Sequence, residues 1–196
     1  MTHKFDVNKK KKLDNEKRRE MLPVDTVLRE IGLKEGDRFA DIGCGIGYFS
    51  LPAATIVGAN GVVYALDIEE EMLLEVHKKM NENLLDNIRT FKTEEYEFKL
   101  EDQSATFAFL CTVLHEIEDH QRFLNETRRL LSKTGRIAVV EWIKSESDYG
   151  PPINHRIDSS DLKKELKTAG FHDIHMTQLN SYFYIVMATK DAVEVY

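Results

Sequence analysis

The sequence predicts an α/β protein built on an open, doubly wound sheet of parallel strands, closed at one edge by an antiparallel hairpin. Three observations predict it. Five strand-sized apolar runs, interleaved with helical patterns, fall across residues 38–142. A glycine-rich string, DIGCGIGYFS at 41–50, separates the first of these runs from the helix after it. Two later apolar runs, 172–180 and 182–190, are joined by almost nothing. Alternating strands and helices demand right-handed crossovers between parallel neighbours. A link as short as that around Asn180 and Ser181 allows only an antiparallel pair.

Each element has its own signal. Pro23 stands at a helix-entry position, Val24, Val27, Leu28 and Ile31 share one helical face, and Gly32 is the stop. KEGD is a turn, 38–42 a buried strand ending near Asp41, and 48–57 a helix. After the GANG turn, VVYALD at 62–67 is a second strand. The helix at 69–83 has acids in its first turn and lysines later, as the macrodipole favours. Strands at 88–92 and 106–111 precede an amphipathic helix over 121–131, which a KTG turn closes before the strand RIAVVEW at 136–142. A capped helix with Gly170 after it leads to the hairpin.

Composition narrows the class. A chain of 196 residues suits one buried core, with residues 1–34 a helical arm or lid and 35–196 the globular domain. No apolar run reaches membrane-span length. The basic N-terminus lacks the apolar stretch of a secretory signal, so the cytoplasm is expected. Cys44 and Cys111 have no metal-ligand spacing, and no metal is expected. The first twenty residues hold eight Lys/Arg against four Asp/Glu, which leaves 19 basic and 30 acidic residues in the body of a chain of net charge −7. Such a body repels nucleic acid, and the arm is expected to be solvated helix; neither nucleic acid nor membrane is an expected partner. The oligomeric state is open, a homodimer included.

Ligands of open α/β sheets sit beyond the carboxyl ends of the strands. There this chain places residues 41–47, Asp67 with Ile68, residues 93–95, residues 111–116, and Glu141 onward. Gly43, Gly45 and Gly47 alternate in a strand-to-helix turn, where a missing Cβ lets a ligand approach the backbone and helix amides face a carboxylate. Asp67, twenty residues past Gly47, stands where a carboxylate accepts both ribose hydroxyls. A dinucleotide site spaces its third glycine one residue later and avoids an acid such as Asp41 beside the pyrophosphate; Asp41 suits a cationic amino-acid tail.

The string DIGCGIGYFS, the strand end LDI at 66–68, the acidic pair Glu94 and Glu95, and LCTVLHEI followed by LLSKTGRIAVVEW resemble the class I S-adenosylmethionine (AdoMet)-dependent methyltransferases. The resemblance covers about residues 35–190 and is strongest to the subgroup containing the ubiquinone and menaquinone C-methyltransferases. It implies a Rossmann-like seven-stranded sheet with the last strand antiparallel, AdoMet as cofactor, and a small-molecule acceptor. It also implies that Asp41, Gly43 and Gly45 border the methionine tail, with Cys44 as packing beside them. Asp67 would hold the ribose, Ile68 the adenine face, Glu94 the adenine amine with the Glu95 backbone next to it, and Cys111 the floor under the methionyl part. Two alternatives stay open: an NAD(P)-dependent oxidoreductase, and a catalytically silent AdoMet-binding protein.

HEIEDH at 115–120 spaces its imidazoles one residue too far apart for a zinc-protease helix. In the related subgroup this stretch lines the acceptor side, so His115 is a candidate general base and Glu116 a group that orients it or the substrate; a capping role without proton transfer is the competing reading. In YGPPINHR at 149–156, a rigid loop over the pocket, His155 and Arg156 either face the acceptor or anchor the loop. With no insertion domain, the lid is expected from residues 1–30 and 144–158.

Overall fold

The computed structural model describes residues 14–192, so the run of lysines at 9–12 lies outside the described residues. Seven strands form one sheet: β1 Arg38–Ile42, β2 Val62–Asp67, β3 Ile88–Lys92, β4 Ala105–Cys111, β5 Leu131–Trp142, β6 His172–Gln178 and β7 Phe183–Thr189. Six helices accompany them: α1 Glu16–Met21, α2 Val24–Glu30, α3 Ser50–Val57, α4 Glu70–Glu82, α5 His120–Leu130 and α6 Ser159–Thr168. The strand order is β3-β2-β1-β4-β5-β7-β6. The first five strands are parallel, and β7 inserts antiparallel between β5 and β6. The winding therefore reverses between β1 and β4, where the glycine string emerges. No helix among the described residues is long and apolar enough to cross a membrane.

Alternation along the strands builds a core on each face of the sheet. Phe39, Phe107, Phe109, Ala138, Val140, Phe183 and Ile185 pack with α2, α3 and α4 on one face. Ala40, Ala108, Leu110, Ile137, Val139, Tyr184 and Val186 pack with α5 and α6 on the other. On the first face, aromatic rings meet directly under the strand tips: Phe109 lies 5.5 Å from Phe39 and 4.9 Å from Phe49, centroid to centroid.

Two boundaries differ from expectation. The chain passes from α5 into β5 at Leu131, without the separate turn expected at 133–135: Leu131 pairs with Ala105, the register then shifts, and regular pairing resumes at Arg136 with Phe107. Gly135 makes this compact, since a Cβ there would lie 2.9 Å from the Leu131 Cβ. The hairpin strands are each shorter than expected, because Asn180 builds the turn itself. Its Oδ1 accepts from the amides of Tyr182 and Phe183 at 2.8 and 3.0 Å. Its Nδ2 donates to the Met21 carbonyl at 2.7 Å, tying the end of α1 to the hairpin.

Phe109 is fully buried at the centre of the sheet. Phe109→Ala is expected to lower the unfolding free energy by about 3–5 kcal/mol, read as a fall in the urea midpoint with an unchanged m-value.

Candidate functional site

The site begins with three consecutive amides. Beyond β1, Gly43 and Cys44 both donate to the Leu66 carbonyl, at 2.8 and 2.9 Å, and Gly45 donates to Asp67 Oδ2 at 2.8 Å. The other Asp67 oxygen accepts from the Glu69 amide at 2.9 Å. The crossover is thus hung on the end of β2. Gly43, Gly45 and Gly47 have φ of +74°, +53° and +79°, which favours glycine at all three. At two of them the missing Cβ makes room for protein: one on Gly43 would lie 2.5 Å from Val113 Cγ2, and one on Gly47 2.7 Å from Leu51 Cδ1.

Asp41 lies inside this turn. It is 3% exposed, Ser50 Oγ donates to it at 2.5 Å, and no basic side chain among the described residues pairs with it. Burial pushes its carboxyl up to about 7; the Ser50 hydrogen bond opposes this and the charge of Asp67 adds to it. Burial also raises Asp67, against the amides that bind its charged form. Burial drives the Cys44 thiol well above its ordinary value and the Cys111 thiol up to about 12, so neither is a nucleophile at neutral pH.

These residues line one side of a cavity of about 770 Å³, within the range of small-molecule sites. Ile68 is 37% exposed to it, an apolar side chain without cover. Beyond β3, Thr93 is buried, Glu94 is exposed and sits 3.9 Å from Lys99, and Glu95 is half-buried; all three line the cavity. At the tip of β4, Thr112 takes φ +58°, a strained value for a β-branched residue. That bend sends Val113 over Gly43 and starts the single 3₁₀ turn Leu114–Glu116 at the cavity's edge.

The turn delivers His115, whose side chain is 8% exposed. Its Nδ1 lies 2.8 Å from Glu141 Oε2, and its backbone amide donates to Glu141 Oε1 at 3.3 Å. Glu116 Oε1 is 3.8 Å from Nε2. The residue that orients His115 is therefore Glu141, with Glu116 on the imidazole's other side. Burial opposes the imidazolium, yet the charge and hydrogen bond of Glu141, with Glu116 behind them, raise its pKa above the ordinary histidine value. In the sequence Glu141 is the acid near the end of the fifth strand. It lies on the same strand face as Ile137 and Val139, and a carboxylate on an otherwise apolar face needs a partner; that phase was the available signal. His120 bonds a different carboxylate, Glu165, at 2.8 Å.

Of the 144–158 segment, residues 148–152 and His155 line the cavity, and Arg156 anchors the segment. The buried guanidinium donates to the carbonyls of Ile143, Ser145, Tyr149 and Pro151 and to Ser147 Oγ, all at 2.6–3.1 Å. His155 is half-buried at the edge between this cavity and a smaller one of about 370 Å³. Trp142, Tyr149 and Phe183 give the cavity an aromatic, apolar lining, and α1 contributes Arg18 and Met21 to it.

The profile of the methyltransferase-domain family matches residues 40–139, about half of the chain, from within β1 to within β5. The chain belongs to the class I AdoMet-dependent methyltransferases. A crystal structure of a SAM-dependent methyltransferase from Aquifex aeolicus is 34% identical, with a TM-score of 0.90 over 95% of this chain and 99% of that one. A demethylmenaquinone methyltransferase of Staphylococcus aureus is 27% identical over 115 residues, 59% of this chain and 47% of that protein. The chain thus spans about half the length of that curated relative. Phosphoethanolamine N-methyltransferase 2 of Haemonchus contortus, solved with S-adenosyl-L-methionine, shares the fold at 15% identity and a TM-score of 0.72, over 86% of this chain and 52% of that one. The cavity fits AdoMet chemically: a buried carboxylate lacking a cation, an uncovered apolar side chain, and a second carboxylate at the tip of β2.

Asp41 has a consequence for stability. A carboxyl raised on folding contributes stability at acid pH that is lost as pH rises through its folded value. The ligand-free protein is expected to lose on the order of 2–4 kcal/mol between pH 4 and 7 from this group. Asp41→Asn keeps an acceptor for Ser50 and should flatten that slope in urea melts taken across this range.

Proposed function

We propose that the protein is a cytoplasmic enzyme that transfers the methyl group of AdoMet to a small-molecule acceptor. The observation that carries this reading is Asp41, a buried carboxylate held uncompensated beside a glycine turn, which suits the cationic tail of AdoMet and would repel a pyrophosphate. In this reading Asp41, Gly43, Cys44 and Gly45 border the methionine part and Cys111 lies beneath it. Asp67 takes the ribose hydroxyls with oxygens already oriented by the Gly45 and Glu69 amides. Ile68 covers the adenine, whose amine meets Glu94 with the Glu95 backbone beside it, both in the cavity lining.

Bound AdoMet supplies a methyl group already activated on a sulfonium, so the protein's task is alignment of the acceptor, worth several kcal/mol of barrier. The apolar wall of Trp142, Tyr149 and Phe183, roofed by the Arg156-anchored loop, excludes water and orients the acceptor. The Staphylococcus relative is named for a quinone-type small molecule, and an apolar, aromatic-walled chamber suits such acceptors. His115 is the general base for an acceptor that must lose a proton. With Nδ1–H donated to Glu141, Nε2 is left as the basic nitrogen. Glu116 and His155 border the same space and orient the acceptor or the imidazole.

Calorimetry with S-adenosylhomocysteine tests the binding half of this reading. Asp67→Ala is expected to abolish binding and His115→Ala to spare it; undiminished affinity in Asp67→Ala contradicts the ribose assignment. For a phenol or carbon-acid acceptor, kcat/KM should climb with pH through the raised His115 pKa and then level. Loss of His115 should cost roughly 10²–10⁴-fold. In Glu141→Gln burial acts on His115 without an opposing charge, so the acid limb should move to lower pH with a lower plateau.

A further inference from the structure

Among the arginines of the described residues, Arg18 stands apart. Arg129 is held by Glu126 and Asp102, Arg136 by Asp37 and the Gly32 carbonyl, and Arg156 by its loop carbonyls. Arg18, on α1, lines the main cavity together with Asp41, Gly43, Gly45 and Cys111. Its Nε is buried and has no hydrogen-bond partner, and no carboxylate among the described residues pairs with its guanidinium. The guanidinium carbon lies 5.2 Å from the Tyr48 ring centroid, and its charge acts on the Cys111 thiol at the tip of β4. A buried N–H without an acceptor forfeits its hydration with no return and calls for an explanation. The neighbouring Arg19, by contrast, faces outward and bonds Asp14 at 2.7 Å.

We infer that Arg18 is the chamber's carboxylate receptor. A guanidinium binds a carboxylate with two parallel hydrogen bonds, and Arg18 brings a positive charge to the same lining in which Asp41 has no cation. Together the two form a complement to an α-amino acid group: ammonium toward Asp41, carboxylate toward Arg18. This inference rests on AdoMet being the ligand, and the carboxylate has two possible owners, the cofactor's methionine tail and the acceptor. Because α1 has no buried residue of its own and is fastened through the Met21 and Leu22 carbonyls, a ligand held by Arg18 also fastens α1 over the mouth.

The test compares S-adenosylhomocysteine with its decarboxylated counterpart, which keeps the amine, on the native chain and on Arg18→Gln. The native chain should prefer the carboxylate form about 10–100-fold, and Arg18→Gln should erase the preference while binding the decarboxylated form as before, which also shows that the variant is folded. Amide exchange over residues 15–22 should be slowed by the carboxylate form alone. If Arg18→Gln keeps the preference, benzoate is titrated into both S-adenosylhomocysteine-saturated proteins. Saturable benzoate binding lost in Arg18→Gln assigns the carboxylate to the acceptor. A preference and a benzoate response that both survive the substitution overturn the inference. If the native chain binds neither adenosyl compound, the methyltransferase reading itself fails.

Discussion

The site depends on one constraint: the first crossover must bend sharply enough for three successive amides to reach the end of the next strand. Gly43 and Cys44 share the Leu66 carbonyl, and Gly45 takes the Asp67 carboxylate. Positive φ at the glycines permits the bend, and Val113 and Leu51 fill the space their absent side chains leave. The same contact presents Asp67 outward in a fixed orientation. It also leaves Asp41 enclosed beneath the turn, with Ser50 its one hydrogen-bonding side-chain partner among the described residues. A substituent on Gly43 would meet Val113 first, and through it the strained Thr112 bend that carries His115.

The chamber holds its charges in two ways. His115 and Glu141 satisfy each other, so this pair is organised before any ligand arrives. Asp41 is left without a cation and Arg18 without an anion among the described residues of the same lining, which lowers the stability of the ligand-free chain and raises its appetite for a zwitterion. Such a division fits a binding site that gains affinity from groups the fold does not neutralise, beside a reactive group whose orientation is set in advance.

Closure is handled by elements with few apolar contacts of their own. The 144–152 loop is organised by one buried guanidinium bonded to its carbonyls, and α1 by carbonyl contacts to Tyr48 and Asn180. Lys17 over the Tyr149 ring, at 4.9 Å, joins the two across the mouth.

Periodicity and punctuation in the sequence were enough for the seven strands, their alternation with helices and the terminal hairpin, because hydrophobic phase and turn residues are local properties of the chain. The glycine turn and Asp67 were legible for the same reason, both being tied to strand ends. What the glycines make room for was not legible: Val113 is seventy residues from Gly43, and only folding sets the two in contact. The partner of His115 required the register of β4 against β5, which brings Glu141 to it in place of the adjacent Glu116. The anchoring role of Arg156 and the unpaired Arg18 likewise depend on which loops meet. Sequence determined the elements and the ends where chemistry collects; tertiary structure decided which charges find partners, since pairing is a matter of distance in space.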